Sequence, residues 1–349
     1  MAGEDKMNKK VTFSDIAKYT NVSKMTVSRY FNDQGSLTPE TKEKIEKALK
    51  ELNYKSNKVA KILANGRSEF IGIIIPELFF DYYSQVLNEI LTTYNDFNYK
   101  FLVFAGNHDQ ELEKKYIEEL LAYQVEGLII LSYTLPSEVL KEYNIPIVTI
   151  EREDQYVTSI NTNNYLGAQL AAEHLIQDQC DILININSFV RENVPAYDRI
   201  RGFEDTCRQN QIPCKIIQKN FKNDYDVTYE LLDSVYRHLE SEYSNKRKGV
   251  FLSNDNYANI FLNILIKNKK QIPEEYEIIG FDNTISKESI IPITTVAQNI
   301  QKIARSAVEE LKEQIESKDS EKKSEIRHVI IDPQLIIRGT TGKNSYTAE

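Results

Sequence analysis

Lys24, Met25, Thr26, Ser28 and Arg29 fall within six consecutive positions of a 349-residue chain. Ser23 is a good N-cap for a helix running from Lys24 to Phe31; on it Val27 turns inward while the other five stay largely outside. Such a set can grip phosphate oxygens through its cations and hydroxyls and present donors to base edges. Catalysis has no comparable centre. The chain carries no Walker loop, dinucleotide fingerprint, nucleophile elbow or His/Cys cluster with metal spacing. His108, His174, His238 and His328 are scattered, and pairs such as Glu118-Glu119 read as solvated helix faces. A binding protein without cofactor or metal is expected, rather than an enzyme.

The charge pattern agrees. The chain carries a net charge of -9, with 41% hydrophobic and 27% charged residues. Residues 7–64 hold twelve Lys and Arg against six Asp and Glu, net +6, and residues 65–349 hold thirty against forty-four, net -14. A basic front module suited to a polyanion precedes an acidic body that would repel one. The apolar runs are too short to cross a bilayer, no signal peptide pattern opens the chain, and Cys180, Cys207 and Cys214 are too few for a disulfide framework. A cytoplasmic protein without a membrane partner is expected. Met1–Lys6, ahead of a second methionine at Met7, read as an appendage outside the fold.

The elements that must position the basic face follow from local signals. Thr12 can cap a first helix with Asp15 three residues on, and Phe13, Ile16 and Ala17 supply its apolar face. Thr38-Pro39-Glu40 opens a third helix with Ile45, Ala48, Leu49 and Leu52 at helical spacing. Three short helices around one small core result. Periodicity alone leaves two readings open, a helix-turn-helix or a generic three-helix bundle with a solvated polar face.

The motifs decide between them. Val11-Thr-Phe-Ser-Asp-Ile-Ala-Lys-Tyr-Thr-Asn-Val-Ser-Lys-Met-Thr-Val-Ser-Arg-Tyr-Phe-Asn32, followed by Thr38-Pro-Glu-Thr-Lys and Leu52-Asn-Tyr, closely resembles the DNA-binding headpiece of the lactose/galactose repressor family of bacterial transcriptional regulators. The resemblance implies that Lys24 and Met25 choose the operator and that Thr26, Ser28 and Arg29 support base and phosphate contacts, with Asn32 following the helix. Thr12, Ser23 and Tyr54 join the DNA-binding set on the same ground. Asn57-Lys-Val-Ala-Lys-Ile-Leu63-Ala-Asn-Gly66 reads as one helix of about seven residues, below the roughly 12–15 that hold alone in water. It is expected to fold only when DNA and a partner chain pack on it. The family's hinge wedges a leucine into the minor groove, which implies that role for Leu63, with Asn57 and Ala60 alongside.

From Phe70 short apolar runs alternate with amphipathic stretches: Phe70–Ile75, Phe101–Phe104, Gly127–Leu131 and Ile147–Ile150, then Ile182–Ile184, Lys215–Ile217, Val250–Leu252 and Ile278–Gly280. Runs apolar on both faces and separated by helices predict two tandem α/β units with doubly wound parallel sheets, and a ligand cleft at the carboxyl ends of their strands. This body resembles the periplasmic-binding-protein-like core of the same family. The carrying motifs are Pro76-Glu-Leu-Phe-Phe80, Asn163-Asn-Tyr-Leu-Gly167 with His174-Leu, Arg199-Ile-Arg-Gly-Phe203, Asn254-Asp255, and Ile279-Gly-Phe-Asp282 with Thr294-Thr-Val. Asn163 stands where the family usually has Asp.

The resemblance implies that Arg199 and Asp282 face the cleft, with Phe79, Phe80, Glu151, Asn254, Asp255 and Phe281 around them. An Arg fork with carboxylates suits vicinal hydroxyls, and aromatic faces suit the apolar side of a sugar ring. The expected organisation is a headpiece at 7–56, a hinge at 57–66, an effector-binding and dimerisation core at 67–340, and a tail at 341–349. One subdomain is expected at about 70–165 with 296–325, the other at about 166–293 with 326–340. The expected function is a transcriptional repressor of a carbohydrate-utilisation operon, bound to operator DNA as a homodimer and released by a sugar or sugar phosphate. The alternative is a corepressor-dependent regulator answering to a purine or a phosphocarrier protein. Residues 340–349 contain no leucine heptad, so a dimer rather than a coiled-coil tetramer is expected.

Overall fold

The computed structural model describes residues 11–32, 34–54, 67–152, 155–190, 194–221, 224–318 and 325–342. The chain divides into two compact units, Met1–Arg67 and Ser68–Glu349.

The first unit holds α1 (Phe13–Thr20), α2 (Lys24–Asn32) and α3 (Pro39–Glu51). Thr12 and Asp15 form a reciprocal capping box at the start of α1, and Asn21 ends that helix in the left-handed region at φ 54°. Pro39 at the first helical position costs α3 no hydrogen bond, because that amide has no partner inside the helix. Ile16, Val27, Ile45 and Ala48 are fully buried and Phe13 stacks on Phe31 with ring centroids 5.0 Å apart. Burial of Ile16, Val27 and Ile45 contributes about 1.5–3 kcal/mol each, the packing that three helices too short to stand alone depend on.

The second unit is built from β1 (Phe70–Ile75), β2 (Lys100–Ala105), β3 (Gly127–Ile130), β4 (Ile147–Ile150), β5 (Thr158–Thr162), β6 (Ile182–Ser188), β7 (Cys214–Lys219), β8 (Lys248–Leu252), β9 (Tyr276–Asp282), β10 (Thr294–Ala297), β11 (His328–Ile331) and β12 (Gln334–Ile336). The helices are α4 (Asp81–Thr92), α5 (Tyr94–Phe97), α6 (Gln110–Ala122), α7 (Ser137–Glu142), α8 (Asn164–Gln177), α9 (Asp198–Gln209), α10 (Tyr225–Glu242), α11 (Asp255–Lys267) and α12 (Ile300–Lys318). Two six-stranded sheets form, ordered β11-β5-β4-β3-β1-β2 and β12-β10-β9-β8-β6-β7. Every described pairing is parallel except β10 with β12.

Alternation along each strand feeds two cores per sheet. In β1, Ile71, Ile73 and Ile75 pack with Ala304, Ala307 and Val308 of α12, whereas Ile74 meets Ile117 and Leu120 of α6. In β6, Ile182, Ile184 and Ile186 join one cluster and Leu183 the other. Helices on both faces explain why these strands read as unbroken apolar runs.

The chain passes between subdomains at 163, at 298–299 and at 332–333. Two of the expected boundaries are thereby corrected. Thr294–Ala297 pairs with β9 in the second sheet, so it does not begin the return to the first subdomain at 296. His328–Ile331 pairs with β5 in the first sheet, so 326–340 does not belong as a whole to the second subdomain. The expected tail is also shortened: Thr341 is buried, its hydroxyl 2.7 Å from Thr294 Oγ1.

β5 escaped the sequence reading because four of its five residues are polar. It is nevertheless buried throughout, its side chains taken up by neighbours. The Arg327 amide donates to Thr158 Oγ1 at 3.2 Å, the Arg152 amide to Asn161 Oδ1 at 2.8 Å, and Ser159 Oγ lies 2.9 Å from His328 Nδ1. Satisfied hydrogen bonds remove the penalty that burial would otherwise impose.

Candidate functional site

The headpiece presents the polar face expected of α2. The Thr26 amide donates to Ser23 Oγ at 3.0 Å, so the N-cap residue holds the first turn. Val27 is fully buried, Lys24 and Arg29 are exposed, Thr26 and Ser28 are half-buried, and Met25 is 67% exposed. Thr12 spends its hydroxyl on Asp15 Oδ2 at 2.6 Å. The Tyr54 ring packs against Phe13 and Phe31 with centroids 6.0 and 5.7 Å away, so its ring belongs to the headpiece core. Asn32 ends α2. Asn57, Ala60 and Leu63 lie outside the described residues.

In the second unit a cavity of about 860 Å³ opens between the two subdomains. Its wall is made where parallel strands end, with Leu131 after β3, Glu151 after β4, Asn187 in β6, Ser253 and Asn254 after β8, and Asp282 closing β9. Strand carboxyl ends from two sheets therefore converge on one space.

Arg199, on the first turn of α9, anchors that space. Its Nε donates to Asn164 Oδ1 at 2.7 Å and its Nη1 to the Ser253 carbonyl at 2.6 Å, while the guanidinium lies 3.7 Å from the Phe281 ring centroid. Three supports leave the planar group little freedom. Asn164 in turn donates through Nδ2 to Glu151 Oε2 at 3.0 Å, and Glu151 Oε1 accepts from the Thr162 amide at 2.6 Å. Glu151 thus orients Arg199 through Asn164, a relay the sequence reading missed. Its signal was present in Asn163-Asn164, of which the first is the cap. Asn163 Oδ1 accepts from the Leu166 amide at 3.1 Å while its Nδ2 donates to Asp332 Oδ1 at 2.9 Å. An Asp at 163 would cap equally well but set two carboxylates together, so Asn there has a local reason.

Asp282 shares the wall, its Oδ1 accepting from Gln298 Nε2 at 2.7 Å. Burial pushes its carboxyl up to about 8 against the pull of Arg199. Glu151 at φ 53° and Asp282 at φ 105° both occupy backbone conformations that L-residues rarely adopt. Such outliers cluster where a side chain must be aimed at a ligand.

Of the remaining expected contacts, Phe80 and Asn254 line the cavity and Phe79, Asp255 and Phe281 are absent from the described wall. Phe79 is 43% exposed, edge-on to Phe80. Asp255 lies beneath the wall, accepting from the Thr284 amide at 2.7 Å and the Thr295 hydroxyl at 2.6 Å. A Cβ on Gly280 would stand 2.3 Å from Asp255 Oδ1, so glycine is what lets that carboxylate fit. Phe281 is fully buried and supports Arg199 from below. Two lining residues were not foreseen, Tyr82 and Asn187; their Oη and Oδ1 are buried with no hydrogen-bond partner among the described residues. No helix among the described residues is long and apolar enough to cross a membrane.

A helix-turn-helix unit joined to a two-subdomain cleft defines a ligand-responsive DNA-binding regulator. Residues 12–57 match the bacterial regulatory proteins of the lacI family, and residues 172–341 match a periplasmic binding protein-like domain. The chain is 30% identical to the ribose operon repressor of Halalkalibacterium halodurans over 348 residues, covering 97% of this chain and 99% of that one. It is 29% identical to the sucrose operon repressor of Streptococcus mutans, with 88% of this chain and 94% of that one covered. The fold matches a crystal structure of the Lac repressor dimer bound to operator and the anti-inducer ONPF with a TM-score of 0.82 at 24% identity, covering 95% and 99% of the two chains. The chain belongs to the lacI family of bacterial regulatory proteins, and it is a DNA-binding transcriptional regulator.

Proposed function

We propose that this regulator represses a carbohydrate-utilisation operon, with two chains on one pseudo-palindromic operator and a sugar in the cleft as the releasing signal. The observation that carries the reading is the held guanidinium of Arg199 on a cavity wall that also includes Asp282, Asn254, Tyr82 and Asn187. Directed donors and acceptors with aromatic neighbours are what a polyhydroxylated ring requires. The relatives that repress ribose and sucrose operons support the same ligand class.

In this reading Lys24, Met25, Thr26, Ser28 and Arg29 enter the major groove, Ser23 and Thr12 hold the helix ends, and Asn57, Ala60 and Leu63 pack in the minor groove. Arg199, Asp282, Asn254 and Phe80 contact the sugar, while Glu151, Asp255 and Phe281 hold the contacts in place. Release follows from linkage: a sugar that binds more tightly to the DNA-free conformation lowers operator affinity by the factor by which operator lowers its own.

The test is fluorescence anisotropy of the full chain on DNA selected from random sequence, with and without ribose, sucrose and cellobiose. Loss of operator affinity with one of these sugars supports the reading. A ligand that instead raises operator affinity, a purine or a phosphocarrier protein, assigns the opposite sign, and failure to select any DNA sequence overturns the repressor reading.

A further inference from the structure

We propose that the cleft takes a neutral glycoside of two or more rings, with an inner polar subsite for one ring and an outer aromatic rim for the next; this rests on the cleft being a sugar site. The inner subsite is the one already described around Arg199, Asp282, Tyr82 and Asn187. The rim is made by Tyr133 and Phe189, which line the same cavity yet stay 50% and 69% exposed. Tyr133 follows β3 in one subdomain and Phe189 follows β6 in the other, so the rim draws on both subdomains.

The Tyr133 ring meets His108 with centroids 6.0 Å apart and still leaves half of its side chain exposed. Two exposed aromatic rings on one cavity wall offer faces for the apolar side of a second sugar ring. The size of the space agrees. At about 860 Å³ it lies toward the upper end of the roughly 300–1,000 Å³ found for pockets enclosing drug-sized ligands, more than a single pentose fills.

Charge argues for a neutral occupant. Among the described wall residues Glu138 and Glu151 are carboxylates, the Asp282 carboxyl is raised by burial to about 8, no lysine is present, and His108 already faces Glu77 Oε2 at 3.7 Å. Of the two arginines, Arg152 donates Nη1 to the Ser132 carbonyl at 3.0 Å and Nη2 to the Leu135 carbonyl, so its guanidinium is spent on the fold. Arg199 alone does not make the multiple-donor clamp that a phosphate group takes.

Isothermal titration of the full chain with sucrose, maltose and cellobiose, against ribose, glucose, fructose and glucose 6-phosphate, tests the proposal. A two-ring sugar is expected to bind about tenfold more tightly than its component monosaccharides, and Tyr133→Ala combined with Phe189→Ala to erase that preference. Unliganded melting temperature and far-UV dichroism verify the fold of the variant, with Phe189→Leu as a milder second substitution. A monosaccharide that binds as tightly as any disaccharide, tighter binding of glucose 6-phosphate, or a preference untouched by the double substitution would overturn the two-ring assignment while leaving the sugar reading standing. Selective DNA binding by a chain that takes none of these sugars removes both.

Discussion

Asn256 Nδ2 donates to Asp81 Oδ2 at 2.7 Å, tying the first turn of α11 in one subdomain to the first residue of α4 in the other. Phe80 stands edge-on to Tyr257 beside it, with centroids 5.7 Å apart. A charge-assisted bond contributes about 1.5–3 kcal/mol, so this contact is large enough to bias cleft closure. Asn256→Ala or Asp81→Ala is expected to weaken sugar affinity about tenfold. Calorimetry finding wild-type affinity in both variants would detach the contact from closure.

Arg199→Ala or Asp282→Ala is expected to abolish the sugar response and leave operator binding intact, giving a repressor that does not release. Operator anisotropy with and without sugar checks both arms. A normal release curve in either variant removes that residue from the effector site.

Lys24 and Met25 start the exposed face of α2, so replacing both should change which operator is preferred, at about 1–3 kcal/mol for each base-edge interaction removed. Arg29→Ala should weaken binding across many sequences alike. Selection from random DNA returning the original consensus for the double variant would sink the assignment.

Burial raises three carboxyls of the second unit: Asp255 to about 6, and Glu277 and Asp282 to about 8. A carboxyl raised in the folded state binds its proton more tightly there than in the unfolded chain. Its stabilising contribution is full below about pH 4, the unfolded value, and is lost as pH rises toward about 8. Melting temperature is therefore expected to fall from pH 5 to pH 8 through these groups. Glu277→Gln should flatten the upper part of that profile, and calorimetric scans showing an unchanged slope in the variant would contradict the assignment.

Sedimentation at micromolar concentration is expected to give a dimer of about 81 kDa, twice the 40.4 kDa chain. Leu63→Ala should preserve that dimer while removing most of the DNA bend and specific affinity. A stable tetramer, or an undiminished bend in the variant, would count against these two expectations respectively.

The headpiece was legible in the sequence because its signals are local. Thr12 with Asp15, Ser23 with Thr26, and Thr38 before Pro39 act within three residues, and of the buried set Ile16 and Val27 sit one to a helix while Ile45 and Ala48 stand at helical spacing on α3. The apolar parallel strands were legible for a similar reason, since burial on both faces leaves an unbroken run of Ile, Val and Leu. Recognition of the motifs carried Arg199, Asp282, Phe80 and Asn254 to the cavity wall.

What only the tertiary structure decided is which distant segments meet. Ser159 pairs with His328, 169 positions away, so the mostly polar β5 is covered by β11 at the sheet edge, a pairing that no local pattern announces. Parallel pairing always joins segments remote in the chain, and a strand's own alternation reports that it is buried without saying beside what. The same holds in the cleft. Asp255 and Asp282 look alike as acidic residues after apolar strands, yet one turns beneath the wall to Thr284 and Thr295 while the other, at φ 105°, is aimed at the cavity. Backbone conformation and the groups already waiting around each carboxylate separated their roles, and both are properties of the assembled fold.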